Sequence, residues 1–321
     1  MSALNAPQFQ TAEGARKHLE AVRWPEGPVC PHCGSADNSY ALKGKSSRPG
    51  VYKCGDCRKQ YTVTVGTVFE RSKIALHIWL QAVYLLCSSK KGMSSHQLHR
   101  TLGVTYKTAW FMSHRIREAM RESNPTPMGG FGAVVEVDEV YLGGKIRRPH
   151  GTLNSKRLLA EGDVKRPKRW GRRTKKEKVV TLVERGGRVR SFHVKRVTTK
   201  NVERILEAQL SERTTLVTDE SRVYQTLGGD YARHATVNHS LGEYVRGDVY
   251  TNTVENYFSI LKRGLNGVYQ HCSSDHLKRY VGEFDFRYSN RGVTDAERTD
   301  AALLGIEGKR LTYRQPAAQA Q

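Results

Sequence analysis

The chain has 321 residues, with 53 Lys and Arg against 31 Asp and Glu, a formal charge of +22 and an isoelectric point near 9.9. A hydrophobic content of 38% is enough for at least one substantial core and excludes a disordered polycation, while the positive excess points to a polyanionic partner, nucleic acid first. The opening segment MSALNAPQFQTAEGARKHLE lacks a charged and then apolar signal pattern. The longest apolar run, IALHIWLQAVYLL, is interrupted by His77 and Gln81 and too short to span a bilayer, so a cytoplasmic, nucleoid-associated protein is expected.

Residues 1–24 read as a helical lead-in in which Thr11 caps TAEGARKHLEAVRW. Residues 25–71 carry CPHCGS and YKCGDCRKQ, so Cys30 and Cys33 form one x2 pair and Cys54 and Cys57 a second, twenty residues on. Clustered pairs in a reducing compartment favour metal over disulfide. Two such turns supply the four thiolates of a tetrahedral zinc with no position left open, so the site is expected to be a structural zinc ribbon. Gly34 and Gly55 beside the pairs let backbone amides turn toward the sulfurs. Cys87 reads as a small core residue, and Cys272 receives no role.

Residues 72–125 turn helical. One long apolar helix is followed by SSHQLHRTLGVTYKTAWFMSHRIREAM, a short helix capped by Ser94 or Ser95, a turn at Gly103, and a second helix from Thr105. That is the plan of a helix-turn-helix, and Tyr106, Lys107, Arg115 and Arg117 are the expected DNA contacts. A Pro- and Gly-rich linker, ESNPTPMGGFG, then leads into a last domain over residues 128–295. Here three strands in hairpin order, turning at Gly186 and Gly187, precede a helix and then alternating strands and helices. This is the order of a ribonuclease-H-like sheet, and it makes the expected fold multidomain α+β, with an α/β catalytic core built on a mixed sheet. Residues 145–178 hold 14 Lys and Arg against three acids, half of the chain's net charge. They read as a basic insertion for phosphate, including Lys145, Arg147, Arg148, Lys168, Arg169, Arg172 and Arg173. Residues 296–321 read as a C-terminal tail.

Three acids stand out in the last domain. Asp138 lies in the first strand, on the face of Glu136 and opposite Val135 and Val137. Asp219 ends the fourth strand, which is expected to pair beside the first. Glu255 lies on a helix with Lys262 nearly two turns later on the same face. Glu136, Glu139 and Glu220 are taken as non-ligands, and His239, Asn252 and Tyr141 lie close in sequence to the three acids.

The interval from Asp138 to Asp219 is 81 residues and from Asp219 to Glu255 is 36. With VDEVYLGGK, LVTDESRVY, HSLGEYVRGDVYTNTVENYFSILKRGLNGVYQH and HLKRYVGEFDFRYSNR, the chain resembles the bacterial insertion-sequence DDE transposases that carry an N-terminal zinc ribbon, relatives of retroviral integrases. The resemblance covers about residues 25–292 and is most specific in the last hundred of them. It implies a ribonuclease-H-like core in which Asp138, Asp219 and Glu255 hold two Mg2+ (or Mn2+), with Lys262 and Arg263 on DNA. It further implies cleavage and strand transfer at terminal inverted repeats of double-stranded DNA by a homodimer or larger assembly. The competing reading is a DNA-binding regulator, a domesticated transposase with the same ribbon and helix-turn-helix on an inactive core.

Overall fold

The computed structural model describes residues 3–44, 47–143 and 176–311. Two short helices come first, α1 (Pro7–Gln10) and α2 (Ala12–Arg23), the second capped by Thr11, whose hydroxyl accepts from the Gly14 N–H. Strands β1 (Ser39–Ala41), β2 (Tyr52–Cys54) and β3 (Gln60–Tyr61) form an antiparallel sheet that pairs Ser39 with Cys54 and Tyr52 with Tyr61. Helices α3 (Leu76–Ser88), α4 (Ser95–Leu102) and α5 (Tyr106–Ala119) follow. Gly103, at φ 65°, ends α4 in the left-handed conformation that glycine adopts freely, and Thr105 starts α5 by accepting the Thr108 N–H.

Strands β4 (Val134–Leu142), β5 (Glu177–Glu184) and β6 (Val189–Val194) make an antiparallel meander, with Gly186 at φ 73° in its second turn. After α6 (Thr199–Gln209), strand β7 (Thr215–Asp219) returns parallel to β4. The short helix α7 (Arg222–Gln225) then leads to β8 (Arg233–Val237), parallel to β7. The mixed sheet has the order β6-β5-β4-β7-β8. Strand alternation sorts its side chains: Val135, Val137, Val180 and Leu182 pack with Val202, Leu206 and Tyr224 of α6 and α7. The opposite face sets Val140, Leu142, Val179 and Val183 against the helices α8 (Asn252–Gly264) and α9 (Ser274–Ser289), through Val254, Tyr257, Leu261 and Phe284. Each such fully buried aliphatic or aromatic side chain contributes about 1.5–3 kcal/mol. A small hairpin of β9 (Val245–Arg246) and β10 (Val249–Tyr250), which sequence patterning did not reveal, precedes α8.

The segment expected as a C-terminal tail is not one. Helix α10 (Asp295–Leu304) begins with a full capping box, Thr294 with Glu297, and buries Ala302 and Leu303, with Ile306 just beyond. These side chains join Leu19 of α2, Tyr61 of β3, Trp79 of α3 and Ile116 of α5 in one core, so the small sheet and the helices on either side of it are a single packing unit. Backbone bonds from Val68 N–H to the Ile306 carbonyl and from Gly308 N–H to the Gly66 carbonyl seal the junction. Residues 312–321 of the expected tail, and nearly all of the basic insertion, lie outside the described residues.

Two helices from distant parts of the chain are joined by buried charge. Glu283 of α9 has no exposed surface and accepts from Arg117 of α5 at 2.6 Å, from Arg287 one turn later, and from the Tyr269 hydroxyl at 2.5 Å. The Arg117 guanidinium lies 4.0 Å from the centroid of the Tyr280 ring. Burial would raise the Glu283 carboxyl, but Arg287 and Arg117 outweigh it and hold it below the usual carboxylate range. A second pair, Arg279 to Glu118 at 2.6 Å, runs alongside. On the other side of α9, Asp285 accepts from the backbone N–H of Ser191 at 2.9 Å, from its hydroxyl at 2.7 Å, and from the Tyr257 hydroxyl. Between α5 and α9, His114 is wholly buried against Trp110, His276 and Tyr280, and neither ring nitrogen has a hydrogen-bond partner.

Glu283→Ala, which strands two buried guanidinium groups, is expected to lower the unfolding free energy by about 3–5 kcal/mol, measured by urea denaturation. Burial pushes the His114 imidazole down to about 2 from its ordinary 6.5. Stability from keeping it neutral is therefore present in full above pH 6.5 and lost as pH falls, since only the unfolded chain then takes up the proton. Relative to His114→Phe, the wild-type chain should lose about 1.4 kcal/mol per pH unit below 6, read from unfolding curves at stepped pH.

Candidate active site and metal centre

The cysteine site is closed and compact. Cys30 and Cys33 lie before β1, while Cys54 ends β2 and Cys57 follows in the turn to β3, and the four sulfurs all fall within 4.8 Å of one another. Cys30 and Cys57 are 3.7 Å apart, and Cys33 and Cys54 3.6 Å. A tetrahedral zinc with sulfur ligands at about 2.3 Å requires sulfurs about 3.8 Å apart, so the donor set and its spacing fit one structural zinc. Burial acts against the Cys30 thiolate, but the N–H groups of His32 and Cys33 outweigh it and bring the thiol down to about 7. The sequence had assigned the turning amides to the neighbourhood of Gly34 and Gly55. Those two N–H groups instead bond the carbonyls of Cys30 and Asn38.

The strand register brings two of the three candidate carboxylates together. β4 and β7 pair as Val134 with Thr215, Val135 with Leu216 and Glu136 with Val217, so two residues further along each strand come Asp138 and Asp219. Neighbouring strands run about 4.8 Å apart, which brings both side chains to one edge. Glu255 arrives from the first turn of α8, and Glu136 positions that helix. Fully buried, Glu136 accepts the Thr253 N–H at 2.9 Å, the Val254 N–H at 3.0 Å and the Thr253 hydroxyl at 2.9 Å, with Arg185 at 2.6 Å neutralising it. A carboxylate on the free amides of a helix N-terminus satisfies otherwise orphaned donors and complements the helix dipole. Glu136 is thus the anchor of the helix that carries Glu255.

The remaining neighbours also have definite partners. Glu139, on the opposite strand face, accepts the Tyr224 hydroxyl at 2.6 Å. Glu220 accepts the N–H groups of His239 at 2.9 Å and Ser240 at 3.1 Å, which fixes the turn after β8. His239 in turn sits 3.6 Å from Glu255. Asp219 uses one oxygen for the Ser221 N–H at 3.0 Å, and Asp138 one for the Glu139 N–H at 2.7 Å. Burial, joined by the charges of Glu139, Asp219 and Glu255, pushes the Asp138 carboxyl up to about 8. Asp219 is raised by burial and by Glu220. Such mutual repulsion is relieved by a cation, and hard oxygen donors suit a hard divalent one. These carboxylates are spread more widely than the cysteines, which are the tight ligand group among the described residues.

The expected DNA contacts divide. Tyr106 and Lys107 are exposed at the start of α5, with Tyr106 stacked on His96 at 4.2 Å. Arg115 and Arg117 are interior, 7% and 1% exposed, and are corrected here from DNA contacts to structural struts. Arg115 donates to the carbonyls of Glu70 and Leu311, and Arg117 is held by Glu283 on the other side of the helix, because α5 is covered all round from Met112 to Arg117. Lys262 and Arg263 are exposed on the same helix as Glu255. Lys145, Arg147, Arg148, Lys168, Arg169, Arg172 and Arg173 lie outside the described residues.

Residues 129–289 match the ISXO2-like transposase domain, and residues 10–60 match the transposase zinc-ribbon domain. The first match runs from just before β4 to the end of α9, and the second takes in α2 together with the cysteine sheet, in keeping with their shared core. Over 283 residues the sequence is 31% identical to a Halobacterium salinarum protein described as an uncharacterized protein in transposable element ISH50, an alignment that covers 87% of this chain and 91% of that protein. Among the described residues no helix is long and apolar enough to cross a membrane.

The purified protein is expected to carry about one zinc per chain by elemental analysis. Cys54→Ser should lose it. Because Cys54 lies in the same core as α3 and α5, the loss should also lower the melting temperature followed by helical circular dichroism.

Proposed function

Given that the chain belongs to the family of insertion-sequence transposases with an ISXO2-like transposase domain and a zinc-ribbon domain, we propose that it binds the terminal inverted repeats of its element and catalyses DNA cleavage and strand transfer. On this reading the five-stranded sheet with helices on both faces is a ribonuclease-H-like core spanning residues 128–295. The α4–Gly103–α5 unit is the helix-turn-helix, presenting Tyr106 and Lys107 to DNA. The observation that carries the proposal is the register-matched pair Asp138 and Asp219, with Glu255 delivered to the same edge by a helix that Glu136 anchors.

Asp138, Asp219 and Glu255 would hold two Mg2+ (or Mn2+). Bound there, the ions would neutralise the attacking and leaving oxygens of a phosphodiester displacement, with no protein nucleophile needed. Asp138, which feels the charges of both Asp219 and Glu255, would share with each of them in holding the ions. His239 lies 3.6 Å from Glu255, beside that carboxylate without a hydrogen bond to it. Lys262, seven residues beyond Glu255 on the same helix face, would receive a DNA phosphate as a mobile point charge. In the first displacement water supplies the nucleophile and a 3′-hydroxyl leaves. In the second that 3′-hydroxyl attacks a target phosphodiester and displaces the target strand's 3′-oxygen, which leaves as a hydroxyl, so the number of phosphodiester bonds is unchanged. Two element ends must be processed together, which calls for a homodimer or larger assembly on DNA.

Asp219→Asn should reduce Mg2+-dependent nicking and joining of DNA carrying the element's ends by about a thousandfold or more, with DNA binding retained. Wild-type activity in that variant would overturn the assignment of the site.

A further inference from the structure

Between the C-terminal end of α3, one side of α8, α9 and the start of α10 lies a cavity of about 470 Å3, within the range of sites that hold small organic ligands. The charged residues that line it, Lys90, Arg287, Arg291 and Arg298, are all cations. Arg298 is committed to Asp295 at 2.7 Å and to the Cys87 carbonyl. Lys90 and Arg291 have no carboxylate partner among the described residues. Arg287 gives one nitrogen to Glu283 and the Leu86 carbonyl, and its Nε and Nη2 are enclosed by protein, so its charge acts on the cavity from behind the wall. The cations whose donors a phosphate could touch are Lys90 and Arg291, the latter also donating to the carbonyls of Gly187 and Tyr288.

The rest of the wall is of a different character. Tyr257, Ile260, Phe284 and Tyr288 make it largely apolar and aromatic, and the Arg291 guanidinium lies 4.4 Å over the Tyr288 ring. A stacked guanidinium and aromatic surface is a platform for a nucleobase. Cations for a phosphate beside an apolar wall for a base describe a nucleotide. A paired base inside a duplex cannot enter such a cavity. The strongly basic segment 145–178 of the chain itself is disfavoured there, because like charges would meet. Asn256 lines the same cavity and directly follows Glu255 in α8, so the cavity lies along the helix that carries one of the candidate carboxylates.

We propose that this cavity receives one unpaired nucleotide of a DNA strand, its phosphate between Lys90 and Arg291 and its base against the apolar and aromatic wall. The inference rests on the reading of the chain as a protein that acts on DNA. An enzyme that extracts one nucleotide at the strand end gains a fixed register for the neighbouring phosphodiester, at the cost of breaking one pair.

The test compares two duplexes, identical except for one unpaired nucleotide in one strand, titrated against the full-length protein in the same salt by fluorescence anisotropy. The wild-type chain should favour the bulged duplex by about tenfold. Ile260→Trp, which fills the cavity from α8, and Lys90→Glu, an exposed position that leaves the core intact, should each bring the ratio of the two affinities to one. A ratio of one in the wild-type chain, or a preference that survives both substitutions, overturns the pocket while leaving Asp219-dependent cleavage as it was. A chain with no cleavage activity on DNA of any kind overturns the underlying reading and the pocket with it.

Discussion

The buried charge cluster at Glu283 is the constraint on which the rest of the molecule depends. Its carboxylate is shared by Arg117 of α5, Arg287 of α9 and the Tyr269 hydroxyl, all out of water, so no member can be removed without stranding another. The carboxylate sits on the helix that packs on the mixed sheet through Phe284, and its partner Arg117 sits on the helix that packs into the N-terminal core beside Ile116. The two packing units therefore share one rigid joint. Two residues along α9, Asp285 ties the same helix to Ser191 of β6 and to Tyr257 of α8, and burial pushes its carboxyl up to about 7. Since α8 carries Glu255, the placement of that side chain follows from α9 as well as from Glu136.

The four-cysteine site was legible from spacing alone, because its ligands are close in sequence and thiolate pairs have few other uses. The neighbouring of Asp138 and Asp219 was legible from strand order, and the apolar set Val254, Tyr257, Phe258 and Leu261 of α8, with Leu265 just beyond its end, followed from helical period. Arg115 and Arg117 were misread because charge suggests surface, and the partner that brings Arg117 inside lies 166 residues away. Glu136 was set apart from the ligands, and its hold on α8 could not be seen in the sequence, since its partners are 117 and 118 residues distant. Helix α10 did carry a local signal, the Thr294 to Glu297 capping box ahead of AALLGI, and was passed over in favour of a tail.

Interior use of charge also alters what the net +22 implies. Arg115, Arg117, Arg190, Arg279 and Arg287 are all buried and spent on carboxylates or carbonyls, so they contribute little to any face that DNA could meet. The positive field available to a polyanion is set instead by exposed residues such as Lys262 and Arg263 and by the basic stretch after β4. Composition alone therefore overstates how much positive charge the surface offers to a polyanion.

The core that unites α2, the cysteine sheet and α3 with α10 also sets an order of manufacture. A ribosome releases residues 302–306 only after the whole N-terminal unit has emerged, yet Ala302, Leu303 and Ile306 form one wall of that unit's core. Until they arrive, Trp79 and Leu80 have an incomplete surround, and the metal-bearing sheet lacks the backbone bonds that Val68 and Gly308 make across the junction. Domains usually close in the sequence in which they are synthesised. Here the first unit waits for α10, so a fragment that stops short of that helix would carry an N-terminal core with one wall missing.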